Sequence, residues 1–357
     1  AVAMAVLEDA LLPQDGLAAS KGLAPAPSGW RGAASGPIGL MLLGAALCTL
    51  LNSLISGVKL SLPALIQGRY LCQWLVGLAA LAARSRSQGV EFRPFGPPGA
   101  RLWLALRGVV YYGFIWLWWA TLTCVPVGDA VAVVKMEAFV SALVSASVFG
   151  ERLTPRWWCC LGASLVGVAL VVRPPLLFGG GREVSPVGRL LNVLTPFVGG
   201  IMPCLIKMAP SAHFLEVQHS CDFICALVLS PPVMLLAGGV GELTELRTWA
   251  TVCGVSLIGL TALCAFTLAY QQGAVGRVSL VGYAEVPFAY AVQVLVFGAP
   301  WSASGLLGAA LVVLSAMASS TERSTSRDSS AQARCPSPLV TPQTEPPPIV
   351  QPEPLDL

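Results

Sequence analysis

The fold is decided by a twenty-residue stretch that reads AVAVVKMEAFVSALVSASVF, Ala130–Phe149. Polar and apolar residues do not alternate in it, and Lys135 and Glu137 are its only charged side chains. A helix needs about 20 mostly apolar residues to cross a bilayer, whereas a strand of a membrane barrel needs about 10 in alternation. The stretch therefore predicts a membrane-spanning α-helix with two charged groups inside the membrane.

Nine further apolar runs of similar length flank this stretch, and Gly, Pro and Arg mark most of the short breaks between them. In chain order, the ten runs are roughly Pro37–Gly57, Leu60–Ala83, Leu102–Cys124, Ala130–Phe149, Trp157–Phe178, Leu190–Met208, Val217–Val240, Trp249–Tyr270, Ser279–Phe297 and Ser302–Ala318. The sequence therefore predicts an all-α polytopic membrane protein with ten transmembrane helices and no room for a soluble domain between them.

The composition of the 357 residues agrees with this class, because 55% of them are hydrophobic and only 11% are charged. A typical soluble domain is about 25% charged, so this chain is too poor in charge to cover a surface that faces water. The net charge is only +3, and no basic stretch is interleaved with aromatic residues. The composition thus excludes a soluble globular protein, a disordered chain and a nucleic-acid binder.

The distribution of Lys and Arg predicts the orientation in the membrane. If the N-terminus is cytosolic, thirteen of these residues fall in cytosolic segments and five on the opposite side. Cytosolic loops favour positive charge, so both termini are expected to be cytosolic. The plasma membrane, an endomembrane such as Golgi or ER, and a plastid envelope all fit.

Two tails flank the membrane part. Residues 1–36 are expected to form a disordered cytosolic tail, and residues 319–357 a second one that is rich in Ser and Pro. The Pro-rich tail is a candidate docking element for a cytosolic partner, although a solvated tail without a partner is the simpler interpretation.

The chain also contains an internal repeat with an offset of 148 residues. Shifting the chain by this amount places Val127-Gly128 on Val275-Gly276, Glu137 on Glu285, Val148-Phe149-Gly150 on Val296-Phe297-Gly298 and, after a two-residue gap, Gly162-Ala163 on Gly308-Ala309. Chance similarity between apolar helices is the alternative. Each copy has five helices, which is an odd number, so the second copy enters the membrane from the side opposite to the first. This predicts inverted repeats over residues 37–178 and 179–318, with alternating access around a site near the membrane midplane.

Six ionisable residues lie well inside the apolar runs, and they are Arg69, Arg107, Lys135, Glu137, Asp222 and Glu285. Each costs about 2.5–3.5 kcal/mol at the centre of a membrane helix, so such groups usually face the bundle interior or a wet cavity. Glu137 and Glu285 rank first, because the repeat places them on opposite sides of its axis, where a buried carboxylate could hold a coupling proton. The alternative is that each glutamate caps a broken helix or neutralises an arginine.

The other charged candidates have weaker signals. Lys135 lies two residues from Glu137, so the two side chains point to different helix faces. Lys135 is a candidate contact for an anionic solute, or a partner for Glu285 or Asp222. Arg69 and Arg107 are expected chiefly to join helix ends, with solute contact as the alternative.

Residues that share a helix face supply further candidates. Ser141, followed by Ser145, extends a polar stripe from Glu137. His219 and Asp222, three residues apart, are expected to form a hydrogen-bonded pair rather than a proton relay.

Aromatic residues cluster in the third run. Tyr112 and Trp116 are four residues apart and form the best candidate cavity pair there, with Tyr283 and Tyr290 comparable in the ninth run. Anchoring at the membrane interface is the favoured alternative for such residues.

Glycines in the fifth and tenth runs, namely Gly162, Gly167, Gly305 and Gly308, are expected to let two backbones approach closely and to scaffold or dimerise the protein. The protein is therefore expected to be a monomer or a homodimer.

No motif indicates enzymatic chemistry. The chain has eleven cysteines without a Cys-x-x-Cys pair and only two histidines, so no metal or cofactor is expected. It also lacks a nucleophile elbow and a phosphate-binding loop. We expect a protein that is not an enzyme.

Several motifs of the first half follow a common pattern: Leu106-Arg107-Gly108, Val125–Ala130, Phe149–Thr154, Gly162–Leu170 and Arg69. They resemble the EamA repeat of the drug/metabolite transporter superfamily. The second half keeps Glu285, Pro287 and Gly308 but has Ala299 where the repeat usually has the glutamate that Glu151 supplies.

Within the superfamily, Val133–Lys135 and Tyr283–Val286 are most similar to solute carrier family 35, in particular its G subfamily. The resemblance implies a ten-helix transporter of small organic solutes, with substrate handled mainly by helices 3, 4, 8 and 9.

These observations lead to one functional hypothesis and two alternatives. The hypothesis is a multi-pass transporter that moves a small polar or anionic solute, a metabolite or nucleotide-sugar-like compound, by alternating access with proton coupling or exchange. The alternatives are a membrane scaffold or regulatory protein on a transporter fold, and an ion channel.

Overall fold

The computed structural model describes residues 36–55, 58, 60–179, 184–237, 242–243 and 246–320. Nearly all of both tails lies outside these residues, so the expectations for the tails stay predictions. Every regular element in the described part of the chain is helical, and no strand occurs there. The all-α fold class is confirmed.

The helices follow one another with short connections. They are α1 Pro37–Ile55, α2 Leu62–Gln88, α3 Arg101–Cys124, α4 Val127–Phe149, α5 Pro155–Val172, α6 Pro186–Lys207, α7 Phe214–Ala237, α8 Leu246–Gln272, α9 Val275–Leu295 and α10 Ala303–Ser320. A helical turn, Pro175–Phe178, follows α5. Eight of these helices are long and apolar enough to cross a membrane, and α2 and α3 are not among the eight.

The outer surface of the bundle is apolar. Leu236 is 90% exposed, Leu295 82% and Leu235 72%. Side chains of this kind need lipid around them rather than water. The described residues therefore form an integral, multi-pass membrane protein.

Polar side chains fix where several helices begin. The Thr154 hydroxyl accepts the Trp157 N–H at 3.1 Å before α5, and Ser185 accepts the Gly188 N–H at 3.1 Å before α6. Before α7, Glu216 accepts the His213 N–H at 2.9 Å, which completes a capping box. These contacts satisfy N–H groups that a helix start leaves without partners.

Two helices are broken near their middles. In α4 a turn at Lys135 and Met136 separates two halves, and Glu137 begins the second. In α9 a 3₁₀ turn, Gly282–Ala284, separates two halves, and Glu285 begins the second. The two breaks lie 148 residues apart, at the offset of the sequence repeat. Each glutamate thus lies at the start of a half-helix, where the backbone dipole favours a negative charge.

The helix packing also has a pairwise regularity. Helix α5 packs against α10, α2 against α7, α1 against α8, and α3 against α6. Exchanging each helix for the one five places along the chain turns the α1–α8 contact into the α6–α3 contact. The same exchange maps the α5–α10 and α2–α7 contacts onto themselves.

Glycines allow the closest of these contacts. A Cβ atom on Gly308 of α10 would lie 2.5 Å from the Gly167 carbonyl oxygen of α5, and one on Gly167 would lie 2.7 Å from the Gly308 oxygen. Gly305 instead makes room for the Tyr290 ring, and nothing lies within 4 Å of a Cβ on Gly162. Of the four predicted glycines, two therefore set the α5–α10 distance.

Replacing Gly308 by alanine is expected to destabilise the protein by about 1–3 kcal/mol, the usual cost of overpacking, because a backbone carbonyl cannot move away as a flexible side chain can. Thermal unfolding of the purified variant in detergent measures this. Gly162→Ala is the matched control and should leave the unfolding temperature unchanged. Equal effects of the two substitutions would contradict the close α5–α10 contact.

Candidate functional site

A cavity of about 820 Å³ lies inside the bundle. Seven helices line it, namely α1, α2, α3, α4, α6, α8 and α9. The resemblance implied substrate handling mainly by the third, fourth, eighth and ninth helices, and the cavity includes these together with three more. Its charged lining residues are Arg69, Arg107, Lys135, Glu137 and Glu285.

The cavity opens at one end of the bundle. At the end where α1 finishes and α4 starts, the lining residues Asn52, Val127 and Gln293 are exposed. At the other end, Met41 and Ile206 are each only 4% exposed. The cavity is therefore a pocket with a mouth at the first end and a closed floor at the second.

An ion pair crosses the middle of the cavity. The Lys135 Nζ atom lies 2.8 Å from Glu285 Oε2, and Asn52 donates to Glu285 Oε1 at 3.2 Å. The backbone oxygen of Lys135 accepts the Tyr283 hydroxyl at 2.5 Å. Of the two partners proposed for Lys135, the structure selects Glu285, and these contacts tie α4 and α1 to α9.

Glu137, the counterpart of Glu285 in the repeat, has a different environment. Its carboxylate lines the cavity but forms no hydrogen bond or ion pair with any other described residue. Gly199 of α6 gives it space, since a Cβ there would lie 2.7 Å from Glu137 Oε2. The Phe114 ring of α3 would lie 2.9 Å from the same Cβ. Glu137 is thus a carboxylate at the cavity wall without an ion-pair or hydrogen-bond partner among the described residues.

Arg69 is a cation in the same pocket without an ion-pair partner in the described part of the chain. Its guanidinium carbon lies 5.5 Å from the centre of the Tyr70 ring, and its buried Nε atom has no hydrogen-bond partner. Within the described ranges, Arg69 forms no ion pair. A guanidinium without an ion-pair partner is suited to binding a carboxylate or phosphate.

Arg107, by contrast, is held by neutral acceptors at the cavity floor. It donates to the Val217 oxygen at 3.2 Å, to Gln218 Oε1 at 3.2 Å and to Thr267 at 3.4 Å. Gln218 in turn donates to Asp222 Oδ1 at 2.9 Å. Arg107 therefore joins α3 to α7 and α8, which is the role expected for it.

Asp222 lies behind this network rather than at the cavity surface. It is fully buried, and it is not among the residues that line the pocket. The expected pair of His219 and Asp222 is not formed. The His219 ring stacks on Trp74 at 6.3 Å, and Asp222 bonds to Gln218 instead, because a glutamine one helical turn away reaches the carboxylate better.

The polar stripe below Glu137 begins at the cavity wall, which Ser141 lines. Ser141 is buried and donates to the Glu137 backbone oxygen at 2.8 Å. Ser145 donates to Glu151 Oε2 at 2.9 Å. The stripe thus connects the cavity wall to Glu151 near the closed end.

Glu151 is the centre of the contacts that close the floor. Lys207 of α6 donates to Glu151 Oε1 at 2.5 Å, and the N–H groups of Val275 and Gly276 at the start of α9 donate at 3.0 and 3.2 Å. Burial raises the pKa of Glu151, but Lys207 and the two N–H groups outweigh burial and lower the pKa below its ordinary value. We call Glu151, Lys207 and these two N–H groups the floor latch, since they join both halves of the chain.

The aromatic wall differs from the expected one. Tyr112 and Trp116 are in ring contact at 6.3 Å, but neither lines the cavity. The lining aromatics of α3 are Tyr111, Phe114, Trp118 and Trp119. Tyr283 lines the cavity, while Tyr290 packs on Gly305.

A signal in the sequence could have identified this face. Counting from Arg107, residues 111, 114 and 118 follow at steps of four, three and four, which is the spacing of one helix face. Asn52, the partner of Glu285, and Gly199, which accommodates Glu137, carry no comparable signal, because they act only through helices that are distant in sequence.

Comparison with known proteins gives three findings. Residues 36–173 match the model of the EamA-like transporter family. The chain is 27% identical over 235 residues to solute carrier family 35 member G1 of Homo sapiens, covering 59% of this chain and 61% of that protein. It is 23% identical over 228 residues to a probable transport protein of Saccharomyces cerevisiae, covering 59% of this chain and 65% of that protein.

The alignments thus include less than two thirds of the length of either relative. Both relatives are named as carriers or transport proteins rather than as enzymes, in agreement with the expectation for this chain. The expected resemblance to EamA and solute carrier 35 proteins is confirmed.

A solved crystal structure also has a similar fold. It matches 80% of this chain and 96% of its own, with a TM-score of 0.63 and 19% sequence identity. At this level of identity the likeness concerns the fold alone.

Proposed function

We propose that this chain, whose residues 36–173 form an EamA-like transporter domain, moves a small anionic organic solute across a membrane by alternating access. One observation carries the proposal. A pocket inside a membrane-embedded bundle is open at one end, closed at the other and lined by five charged side chains. Charged groups in such a place are costly, and they usually mark the path of a solute or ion.

The proposal includes ten membrane helices in two inverted repeats of five. Three observations support it: the offset of 148 residues, the breaks of α4 and α9 at equivalent positions, and helix contacts that persist when the two halves are exchanged. A transporter built in this way alternates by rocking one set of helices against the other around a central site. The present state is then the one that is closed at the floor latch.

The orientation follows from the Lys and Arg distribution. With both termini in the cytosol, the floor latch lies on the cytosolic side and the mouth on the opposite side. The same rule places the Glu151 loop and the short α8–α9 connection in the cytosol. The protein would then receive solute from the lumenal or extracellular side in this state, and the latch must open to release it into the cytosol.

The chemistry of the solute follows from the unpaired groups. Lys135 and Glu285 neutralise each other, and Arg107 is held by neutral acceptors. Arg69 lines the cavity and has no ion-pair partner among the described residues, and aromatic rings of α3 line the same space. An anionic group on Arg69 and an apolar or planar body against the α3 aromatics fit this arrangement.

Uptake into proteoliposomes tests the proposal. Reconstituted protein is offered a panel of labelled carboxylates, nucleotide sugars and amino acids, with and without an imposed pH gradient. We expect one anionic class to accumulate above protein-free liposomes, and unlabelled members of that class to compete. A variant of a lipid-facing residue outside the cavity, Val166→Leu, is the control for reconstitution. If no solute in the panel moves with folded protein, the transporter proposal fails.

A further inference from the structure

The two glutamates that the repeat makes equivalent are not equivalent in their contacts. Glu285 has a cation 2.8 Å away in Lys135 and a second donor in Asn52. Its backbone oxygen also accepts the Thr49 hydroxyl at 3.4 Å. Glu137 has none of these: no described residue donates to its carboxylate, and Lys135, two positions away, is already bound to Glu285.

The wall opposite Glu137 suits a protonated carboxyl group. Glu137 Oε2 lies over Gly199 of α6, where a Cβ would lie only 2.7 Å away. The Phe114 ring lies beside the same point. This wall offers the carboxyl group no charged partner, and burying an unpaired charge costs more than burying a neutral polar group.

The groups around Glu137 leave it free to exchange a proton with the cavity. The titratable or charged groups that face it are Lys135 on its own helix, Tyr270 on α8, and Tyr283 and Glu285 on α9. Lys135 and Glu285 form a pair, and the Tyr283 hydroxyl is bound to the Lys135 oxygen. From α3 and α6 come Phe114 and Gly199, which do not titrate.

We propose that Glu137 is the proton-carrying residue of the cavity and that Glu285 is the fixed counter-ion of Lys135. The inference rests on the proposed function, because it assigns the coupling residue of the same site. In the state that is open at the mouth, the carboxylate of Glu137 binds a proton from solution and becomes a neutral carboxylic acid. After the floor latch opens, Glu137 releases the same proton to the solution on the other side.

The charge of the cavity sets the direction in which proton and anion binding are coupled. The charges of Lys135 and Glu285 cancel, so the cavity has two further positive charges, on Arg69 and Arg107, and one negative charge, on Glu137. Protonating Glu137 removes that negative charge, so the affinity of the cavity for an anion rises. By linkage, a bound anion raises the affinity of Glu137 for a proton by the same factor. Proton and anion therefore travel in the same direction.

Infrared difference spectroscopy tests the assignment without any solute. Reconstituted protein is cycled between acidic and alkaline buffer, and the C=O stretch of protonated carboxyl groups is recorded. We expect Glu137→Gln to remove a titrating band that the wild type shows. Asp222→Asn is the matched control for a buried carboxyl group outside the cavity, and it should leave that band in place.

A second variant keeps the test decisive if Glu137→Gln does not fold. In Lys135→Met/Glu285→Met both charges of the pair are removed together, so no unpaired charge remains. The titrating band should persist in this double variant. A band that survives in Glu137→Gln but disappears in the double variant would overturn the assignment.

The outcome is separable from that of the uptake experiment. If a solute is transported but the band does not belong to Glu137, this inference fails alone. If the band belongs to Glu137 but no solute moves, the transporter proposal fails while Glu137 stands as the proton site.

Discussion

Replacing Glu285 by glutamine is expected to lower the stability of the folded protein by about 3 kcal/mol, at the lower end of what breaking a buried ion pair costs. The side chains of Lys135 and Glu285 are only 13% and 24% exposed. Without the carboxylate, Lys135 would remain charged in the pocket without its ion-pair partner, because Glu137 forms no ion pair with it. The lower end of the range applies because the cavity admits some water.

Removing both charges should restore most of that loss. The double variant Lys135→Met/Glu285→Met leaves no unpaired charge, and apolar replacement of a whole buried pair is often neutral or stabilising. Thermal unfolding in detergent compares the single and double variants. Glu137→Gln is the control within the cavity and should be nearly neutral, because its carboxylate has no described partner to lose. A double variant no more stable than Glu285→Gln would contradict this account of the pair.

Replacing Arg69 by methionine should reduce the uptake of an anionic solute by about 10- to 100-fold. A hydrogen bond to a charged group contributes about 1.5–3 kcal/mol, and each 1.4 kcal/mol is a factor of ten in affinity. The loss should appear mainly as a higher solute concentration at half-maximal uptake, because the proposed role of Arg69 is to bind the solute and it takes no part in the floor latch.

Two comparisons make the Arg69 result specific. Arg69→Lys keeps the charge but loses the planar fork, so it should recover only part of the uptake. The thermal stability of Arg69→Met should be close to that of the wild type, because Arg69 has no ion pair to break. Unchanged uptake of anions by folded Arg69→Met would rule out Arg69 as the anion-binding group.

The membrane character of the fold could be predicted from the sequence because it depends on local properties. The lengths of the apolar runs and the scarcity of charge are readable residue by residue, and the helices follow the predicted runs with small shifts in their ends. The breaks in α4 and α9 could not be read in this way. The sequence at Lys135–Met136 contains neither proline nor glycine, and the interruption depends on contacts such as that between Tyr283 and the Lys135 oxygen.

The candidate site was predictable mainly where a charge identified a residue by itself. An ionisable group inside a membrane helix is costly in contact with lipid, so it usually faces the bundle interior or a cavity. Five of the charged candidates line the cavity, namely Arg69, Arg107, Lys135, Glu137 and Glu285. The aromatic pair Tyr112 and Trp116 was misplaced because an aromatic residue is equally stable against lipid, protein or solute, so its type does not reveal its direction.

The different roles of the two glutamates could be assigned only from the three-dimensional structure. Glu137 and Glu285 have the same position in the repeat, and the sequence ranks them equally. They differ because Lys135, a residue of the first half, bonds to the glutamate of the second half. The sequence alone does not reveal this contact between the two halves.

The floor latch has a kinetic consequence. Glu151 binds Lys207 and two N–H groups on one side of the protein, but its counterpart in the repeat is Ala299, which has no group that could form an ion pair at the mouth. Under the alternating-access proposal, the two closed states would then be unequal in energy, and we expect the state closed at the latch to be more populated at rest. We therefore expect a lower half-saturation constant for solute that is offered from the side of the mouth than for solute offered from the side of the latch.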